Sequence, residues 1–565
     1  MKKIMTRLLS LVLLGTFIPS YVLAADWDLD KGSITVSATV ENQTVSQAGG
    51  SPTVDHNPVI TSNGKTNNTV TITAEKNATA NVTLENVNID TGKTGGAAIT
   101  ASGEGNVNIE LDGTNRVQSG NTHAGVEKKD NGTLTITDED KDGSLTANGG
   151  GVGGAGIGGG YGGSGSNITI EGGKVTATGD SAGAGIGGGA GGSGSNITIS
   201  DGKVTATGGG AGAGIGGGYE GSGKGITIEG GKVKAIGGTH GAGIGGGFGG
   251  SGSNIAIEGG KVEASSVGGG AGIGGGSLGS GSNIAVSGGE VTAQGGVGGA
   301  GIGGGQGGSG SKITISDGKV TATGAGAGAG IGGGYAGSGE GITIEGGEVT
   351  AQGDAGGAGI GGGISGTGSD VTISGDAQVK VQGGTTGRDW HKGAAIGNGG
   401  TPTTDGNEVS PNTSDLKVGG FIQIYEPGKN INTDTPDRTI EGQKGDHSWN
   451  AGEVTTAETV PESKAAAYWV SDSEGQSIPY QAQQKNGVLT VTVQADTASL
   501  RGTTGSLRQL EAQGITGIRF VTKRAQSDFT LSDLLASGTG SFTLTHEAEA
   551  VRFTLESTDI SGILK

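Results

Sequence analysis

Four aromatic residues, Tyr161, Tyr219, Phe248 and Tyr335, each follow a Gly-Gly-Gly triplet, and they are the only aromatics between Gly154 and Thr386. Other copies of the same position hold Ala190, Ser277, Gln306 and Ile364. A surface ring can stack on the apolar face of a sugar and leave the sugar hydroxyls to polar neighbours. A ring in a loose loop can equally cover exposed backbone, and the sequence leaves both readings open. A second group with chemical potential is Asp138-Glu139-Asp140-Lys141-Asp142-Gly143, where Asp138, Asp140 and Asp142 alternate before a glycine as in a calcium loop. The twelfth position is Gly149 where such a loop needs a bidentate Glu, so the full motif is not met. The alternative is a solvated turn. The third is Arg388-Asp389-Trp390-His391-Lys392, read as an insertion loop in which Trp390 is a candidate anchor for a ligand.

Other patterns carry less. Gly154-Ala155-Gly156-Ile157-Gly158-Gly159 fits the dinucleotide fingerprint, but that site needs a following helix, and Gly158 to Gly165 is nearly all glycine. Glu171, Glu229, Glu258 and Glu345 share one repeat position and Lys174, Lys203, Lys232, Lys261 and Lys319 another, which reads as a solvated surface of mixed charge. General acid–base work wants paired carboxylates in a cleft or a positioned base. No Arg occurs between Arg116 and Arg388, and His240 is the sole His from Ala124 to Asp389. The expectation is a protein that is not an enzyme and requires no cofactor, with calcium at the acidic loop the one ion it would suit.

These groups must be positioned by a repeat. Gly-Ala-Gly-Ile-Gly-Gly-Gly begins at Gly154, Gly183, Gly212, Gly241, Gly270, Gly299, Gly328 and Gly357, a constant step of 29 residues. Within a unit, Ala155 and Ile157, Ile168 and Ile170, and Val175 and Ala177 alternate with small or polar residues, which predicts three short strands with one buried face each. One unit buries too few large side chains to fold alone, so units must stack. Glu171-Gly172-Gly173-Lys174 could close a hairpin. A corner, with strands pairing only between repeats, better explains the fixed period. The fold class expected is all-β, a parallel β-solenoid of 29-residue repeats with regular repeats over 154–386.

Asn81 to Ile89, Gly96-Ala97-Ala98-Ile99, Gly132 to Ile136 and the glycine array together resemble the exported bacterial carbohydrate-binding-domain proteins. The resemblance spans residues 60–400. It implies a right-handed parallel β-helix, shaped like the pectate lyases but without their catalytic residues, and a polysaccharide or glycan surface as partner.

The ends and the charge complete the reading. Lys2, Lys3 and Arg7, then the apolar run Leu8 to Ile18, then Val22-Leu23-Ala24, have the layout of a secretory signal peptide over 1–24. A secreted or cell-surface location is expected, with no membrane insertion. A net charge of −19 argues against nucleic acid. Residues 25–59 read as an amino-terminal cap, 401–463 as a loop-rich linker with a strand at Gly420–Tyr425, and 464–565 as a small α+β module with a helix at Ser506–Gln513. Nothing in the sequence fixes an oligomeric state. Three functions are compatible with it: a non-catalytic polysaccharide-binding or adhesive rod, a structural surface spacer, and a polysaccharide lyase.

Overall fold

The computed structural model describes residues 26–385, 391–408, 416–441 and most of 468–564. The signal-peptide segment 1–24 lies outside them. The chain divides into two units, 1–450 and 451–565. No helix among the described residues is long and apolar enough to cross a membrane.

The first unit is a parallel β-solenoid with three faces. Face 1 is a 14-stranded sheet whose repeating strand is Gly165–Ile170, face 2 a 13-stranded sheet repeating Lys174–Thr178, and face 3 a 15-stranded sheet repeating the two-residue strand Ile157–Gly158. Every array strand pairs only with its copies one coil before and after, in parallel, as Ile168↔Ile197, Val175↔Val204 and Ile157↔Ile186 show. Glu171 to Gly173 is therefore a corner and not a hairpin. The period-two alternation sends Ile168, Ile170, Val175, Ala177 and Ile157 inward, each with no exposed surface, and their copies form continuous apolar columns.

Two structural features hold the coils at this spacing. The first is glycine on face 3. Gly158 and its copies Gly187, Gly216, Gly245, Gly274, Gly303, Gly332, Gly361 and Gly397 have φ between 130° and 138°. A Cβ on Gly216 would lie 2.0 Å from the carbonyl oxygen of Gly245 in the next coil. The glycine fingerprint is thus a packing device. The second is a serine ladder at the corner before face 1. The amides of Ser193, Ser222, Ser251, Ser280, Ser309 and Ser338 each donate to the hydroxyl of the serine one coil earlier, at 3.1–3.3 Å.

Both ends differ from the sequence-based boundaries. Asp26–Asp28 already pairs in parallel with Val59–Thr61, and Ile34–Ala38 with Val70–Ala74, while Gln43–Gln47 and Thr53–Val54 fold back antiparallel. At the other end the stretch read as linker continues the sheets. Leu416–Val418 pairs in parallel with Val371–Ile373, Phe421–Tyr425 pairs with Gln378–Gln382, and antiparallel Arg438–Glu441 closes face 2. The boundary at 400 fell too early because the sequence beyond Gly400 turns rich in Thr, Asp, Asn and Pro, while strands within it still pair with the coil before. The Glu408 carboxylate accepts from the amides of Ala395 and Ile396, at 2.7 and 3.3 Å, and so covers the last rung of face 3.

The second unit has a five-stranded antiparallel sheet and a four-stranded sheet in which Val488–Val493 and Gly517–Val521 run parallel. Phe520, Phe529, Phe542 and Phe553 fill its core. Leu507, Leu510 and Glu511, the described residues of the expected helix at 506–513, are helical, and a second helix, Leu531–Ala536, follows. His546 is buried between hydroxyls, Nδ1 3.2 Å from Thr522 Oγ1 and Nε2 2.9 Å from Ser527 Oγ.

Gly216→Ala should cost about 3 kcal/mol or more, from the left-handed backbone and the clash together, and lower the melting temperature measured by circular dichroism. Gly64→Ala, where an added Cβ meets nothing within 4 Å, should leave it unchanged. Burial pushes His546 down to about 4. The unfolded chain takes up a proton near 6.5, which the native unit refuses until about 4, so stability falls as pH drops through that window, by about 3 kcal/mol in full. The protection factors of the Ser541–His546 amides, taken relative to intrinsic exchange at each pH, should fall from pH 6.5 to 4 in the whole chain, and His546→Gln should flatten the response.

Candidate functional site

The aromatic column lies on the edge between faces 3 and 1, where each coil turns after its glycine triplet. The amides of Tyr161, Tyr219, Phe248 and Tyr335 donate to Thr122, Ala182, Ala211 and Gly298 of the preceding coil at 2.7–2.8 Å. The carbonyls of Tyr219, Phe248 and Tyr335 accept from Gly191, Glu220 and Gly307. This edge is a hydrogen-bonded ladder, and the loose-loop alternative does not describe it. Tyr161 is 63% exposed, Tyr219 38% and Tyr335 37%, while Phe248 is half-buried. Tyr219 and Phe248 stack on each other with centroids 5.6 Å apart and planes 10° apart, and His240 meets Phe248 edge-on at 5.2 Å. A hydrogen bond to Glu220 holds the Tyr219 phenol above its ordinary range.

The sequence reading passed over four further members of this edge. Leu278 lies in the same turn, and Val152, Val267 and Val297 lie in the loop from face 2 into face 3 that packs against it, a Cβ on Gly153 standing 3.5 Å from the Tyr161 ring and one on Gly298 3.4 Å from Tyr335 Cβ; all four are 48–67% exposed. Together with Tyr161, Tyr219 and Tyr335 they are all the exposed large hydrophobic residues between 60 and 441 among the described residues. Their signal was an apolar side chain in a glycine loop, outside any alternating stretch.

The acidic loop gains partners from the coil before it. Glu110, Asp138 and Asp140 bring carboxylate oxygens within 4.8 Å of one another, as do Asp112, Asp140 and Asp142. The loop is built as a turn. Asp138 accepts from the Gly143 amide at 3.1 Å, and Glu110 accepts from the Glu139 amide at 2.8 Å and from the Thr137 hydroxyl. Desolvation and the neighbouring Asp142 and Asp112 push Asp140 up to about 6, and burial raises Glu110. An all-oxygen set of carboxylates has the chemistry of a hard divalent cation. Glu110 and Asp112 reach this loop from the preceding coil, an approach set by the fold and not by the motif.

Trp390 lies outside the described residues. Of its neighbours, His391 Nδ1 is 3.0 Å from Asp405 and Lys392 Nζ is 3.2 Å from Glu426. These pairs tie the insertion to the final coil. The charged column on face 2 is locally compensated, with Lys261–Glu290 at 2.7 Å and Lys319–Glu348 at 3.5 Å, which fits a solvated surface.

Parallel coils, inward apolar columns and loops confined to the corners define a parallel β-helix repeat protein. In agreement, the family model described as Beta helix repeat matches seven stretches, residues 168–190, 197–219, 226–248, 255–277, 284–306, 313–335 and 342–364. Each match runs from a face 1 strand to the edge position that holds Tyr219, Phe248 and Tyr335. No curated protein and no solved structure matches the chain.

Asp140 provides a pH test of the acidic loop. Its folded value lies above the unfolded one, so its ionisation opposes folding, and stability is lost as pH rises from about 4 through about 6. Asp140→Asn should raise the melting temperature at pH 7 and leave it unchanged at pH 3, in a pH series of thermal melts with chelator present.

Proposed function

We propose that this chain is a non-catalytic, exported polysaccharide-binding or adhesive rod whose aromatic edge is the binding surface. The observation that carries the reading is the gathering of Tyr161, Tyr219, Phe248 and Tyr335, with the exposed Val and Leu residues, onto one hydrogen-bonded edge. Large apolar side chains left exposed along one surface, where the described residues between 60 and 441 expose no others, support an interaction site there. A rigid ladder also lowers the ordering cost of binding. The sole histidine of the array, His240, is engaged with Phe248, and no carboxylate pair flanks the rings, which supports a role in binding and not in lysis. In this reading calcium joins the coil of Asp138, Asp140 and Asp142 to that of Glu110 and Asp112 and serves stability alone.

The mutual stacking of Tyr219 and Phe248 favours a second reading, a structural spacer, because each of these rings turns one face to the other. The two readings separate in a polysaccharide pull-down. Retention on at least one insoluble glycan should fall about tenfold or more when Tyr161, Tyr219, Phe248 and Tyr335 are all changed to Ala, with the melting temperature nearly kept. A spacer gives no retention and a lower melting temperature in the same variant. Adding calcium should raise the melting temperature of the parent chain and leave glycan retention as it was. Calcium-dependent retention would move the site to the acidic loop.

A further inference from the structure

We infer that the ligand of this edge is an uncharged polysaccharide lying along the stack, in contact with aliphatic as well as aromatic side chains. The inference rests on the polysaccharide reading and narrows it. The eight loop pairs that form the edge, residues 149–164, 179–193, 208–222, 238–251, 267–280, 295–309, 324–338 and 353–367, contain no Lys and no Arg. Their only ionised groups are the carboxylates of Asp180, Glu220 and Asp354, and the whole chain carries −19. Glycans bearing uronate, sulfate or phosphate need cations at the contact surface. Here three of the eight loop pairs offer such charges a carboxylate and none offers a Lys or Arg; the lysine column lies on face 2, and Lys224 and Lys312 stand singly on face 1 just beyond the edge. What the edge does offer is polar without charge. Gln306 and Thr239 are exposed there, and the flank of Gly162 is open, with nothing within 4 Å of where a Cβ would stand.

Leu278 shows that the aliphatic members of the edge are not incidental. It occupies the position after the aromatic column, which is Gly162, Gly191, Gly249 and Gly307 in four other coils and Glu220, Ala336 and Ser365 in three, all left-handed, so that Leu278 is its one large apolar side chain. Leu278 adopts the same conformation, φ 67°, and is 64% exposed. A bulky side chain in that conformation is strained, and most of this one is left in solvent. Its Cδ2 lies along the edge, 3.3 Å from where a Cβ on Gly307 of the next coil would stand. Strain held at an exposed apolar side chain is accounted for if that side chain meets a ligand running from coil to coil.

The test is affinity electrophoresis of the whole chain through gels containing galactomannan, hydroxyethyl cellulose or polygalacturonate, at low salt. Retardation by a neutral polymer and none by polygalacturonate is expected. Leu278→Gly should weaken the neutral interaction about tenfold, the loss of one well-covered apolar side chain, while its melting temperature stays equal or rises. Retardation by polygalacturonate as strong as by the neutral polymers overturns the inference and keeps the polysaccharide reading. So does neutral binding that Leu278→Gly leaves intact. No retardation by any of the three polymers overturns the polysaccharide reading itself. A dimer in sedimentation velocity that Leu278→Gly dissolves overturns the inference in favour of a second copy of this chain on the edge.

Discussion

The structure depends on one distance, the rise between successive coils, which is fixed by parallel backbone hydrogen bonds at about 4.8 Å. On face 3 that spacing leaves no room for a side chain. Across the array a Cβ on the glycine after each Ile would sit 2.0 or 2.1 Å from the next coil's carbonyl oxygen. Glycine costs conformational entropy, and a chain with 132 of them pays it many times. The offset is that each coil satisfies its backbone against two neighbours and lays its Ile and Val on identical residues above and below. The first coils show the boundary of this regime. Glu127 stands where the array has Gly158, and its buried carboxylate is held by His123 at 2.6 Å, Lys129 at 3.0 Å and the Ala124 amide at 3.3 Å.

The same spacing governs every polar column. Ser164 and its copies pass one hydrogen bond per coil along the corner, and Asn196 donates to Asn167, as Asn283 does to Asn254, at 3.1 Å. The charged column of face 2 runs through Lys174, Lys203, Lys232 and Lys261 in register and then alternates in sign, Glu290 pairing with Lys261 and Glu348 with Lys319. Such exposed pairs contribute little individually. They break the run of like charges only over its second half, from Lys261 onward.

Period and alternation made most of the array legible. Once Gly154, Gly183 and their successors are aligned, the inward columns and the corner follow from hard sphere packing and strand pairing alone. What was not legible depended on approach across coils of other lengths. Glu110 reaches Thr137 from 27 residues away, in coils shorter than the array's, so no motif links it to Asp138. The final coil was hidden because the stretch after Gly400 has the composition of a linker, although Leu416 and Phe421 still pair with the coil before. The mutual stacking of Tyr219 and Phe248 was also out of reach. Their spacing gives a shared column, but which way the rings turn is decided by side-chain packing with His240.

The copies within this chain also divide its positions by physical role. Where packing decides, they agree. The residue on face 3 is Ile in all eight array coils, and the glycine after it never varies. Where the chain turns after the glycine triplet they diverge, through Tyr161, Ala190, Tyr219, Phe248, Ser277, Gln306, Tyr335 and Ile364, although the backbone ladder there is as regular as on the faces. On that one fixed backbone the side chains range from exposed Tyr161 to buried Ala190, Ser277 and Ile364, so each coil sets its own surface. That is the condition for writing a binding surface onto a repeat, and on this rod it is met along the edge that gathers the exposed apolar side chains.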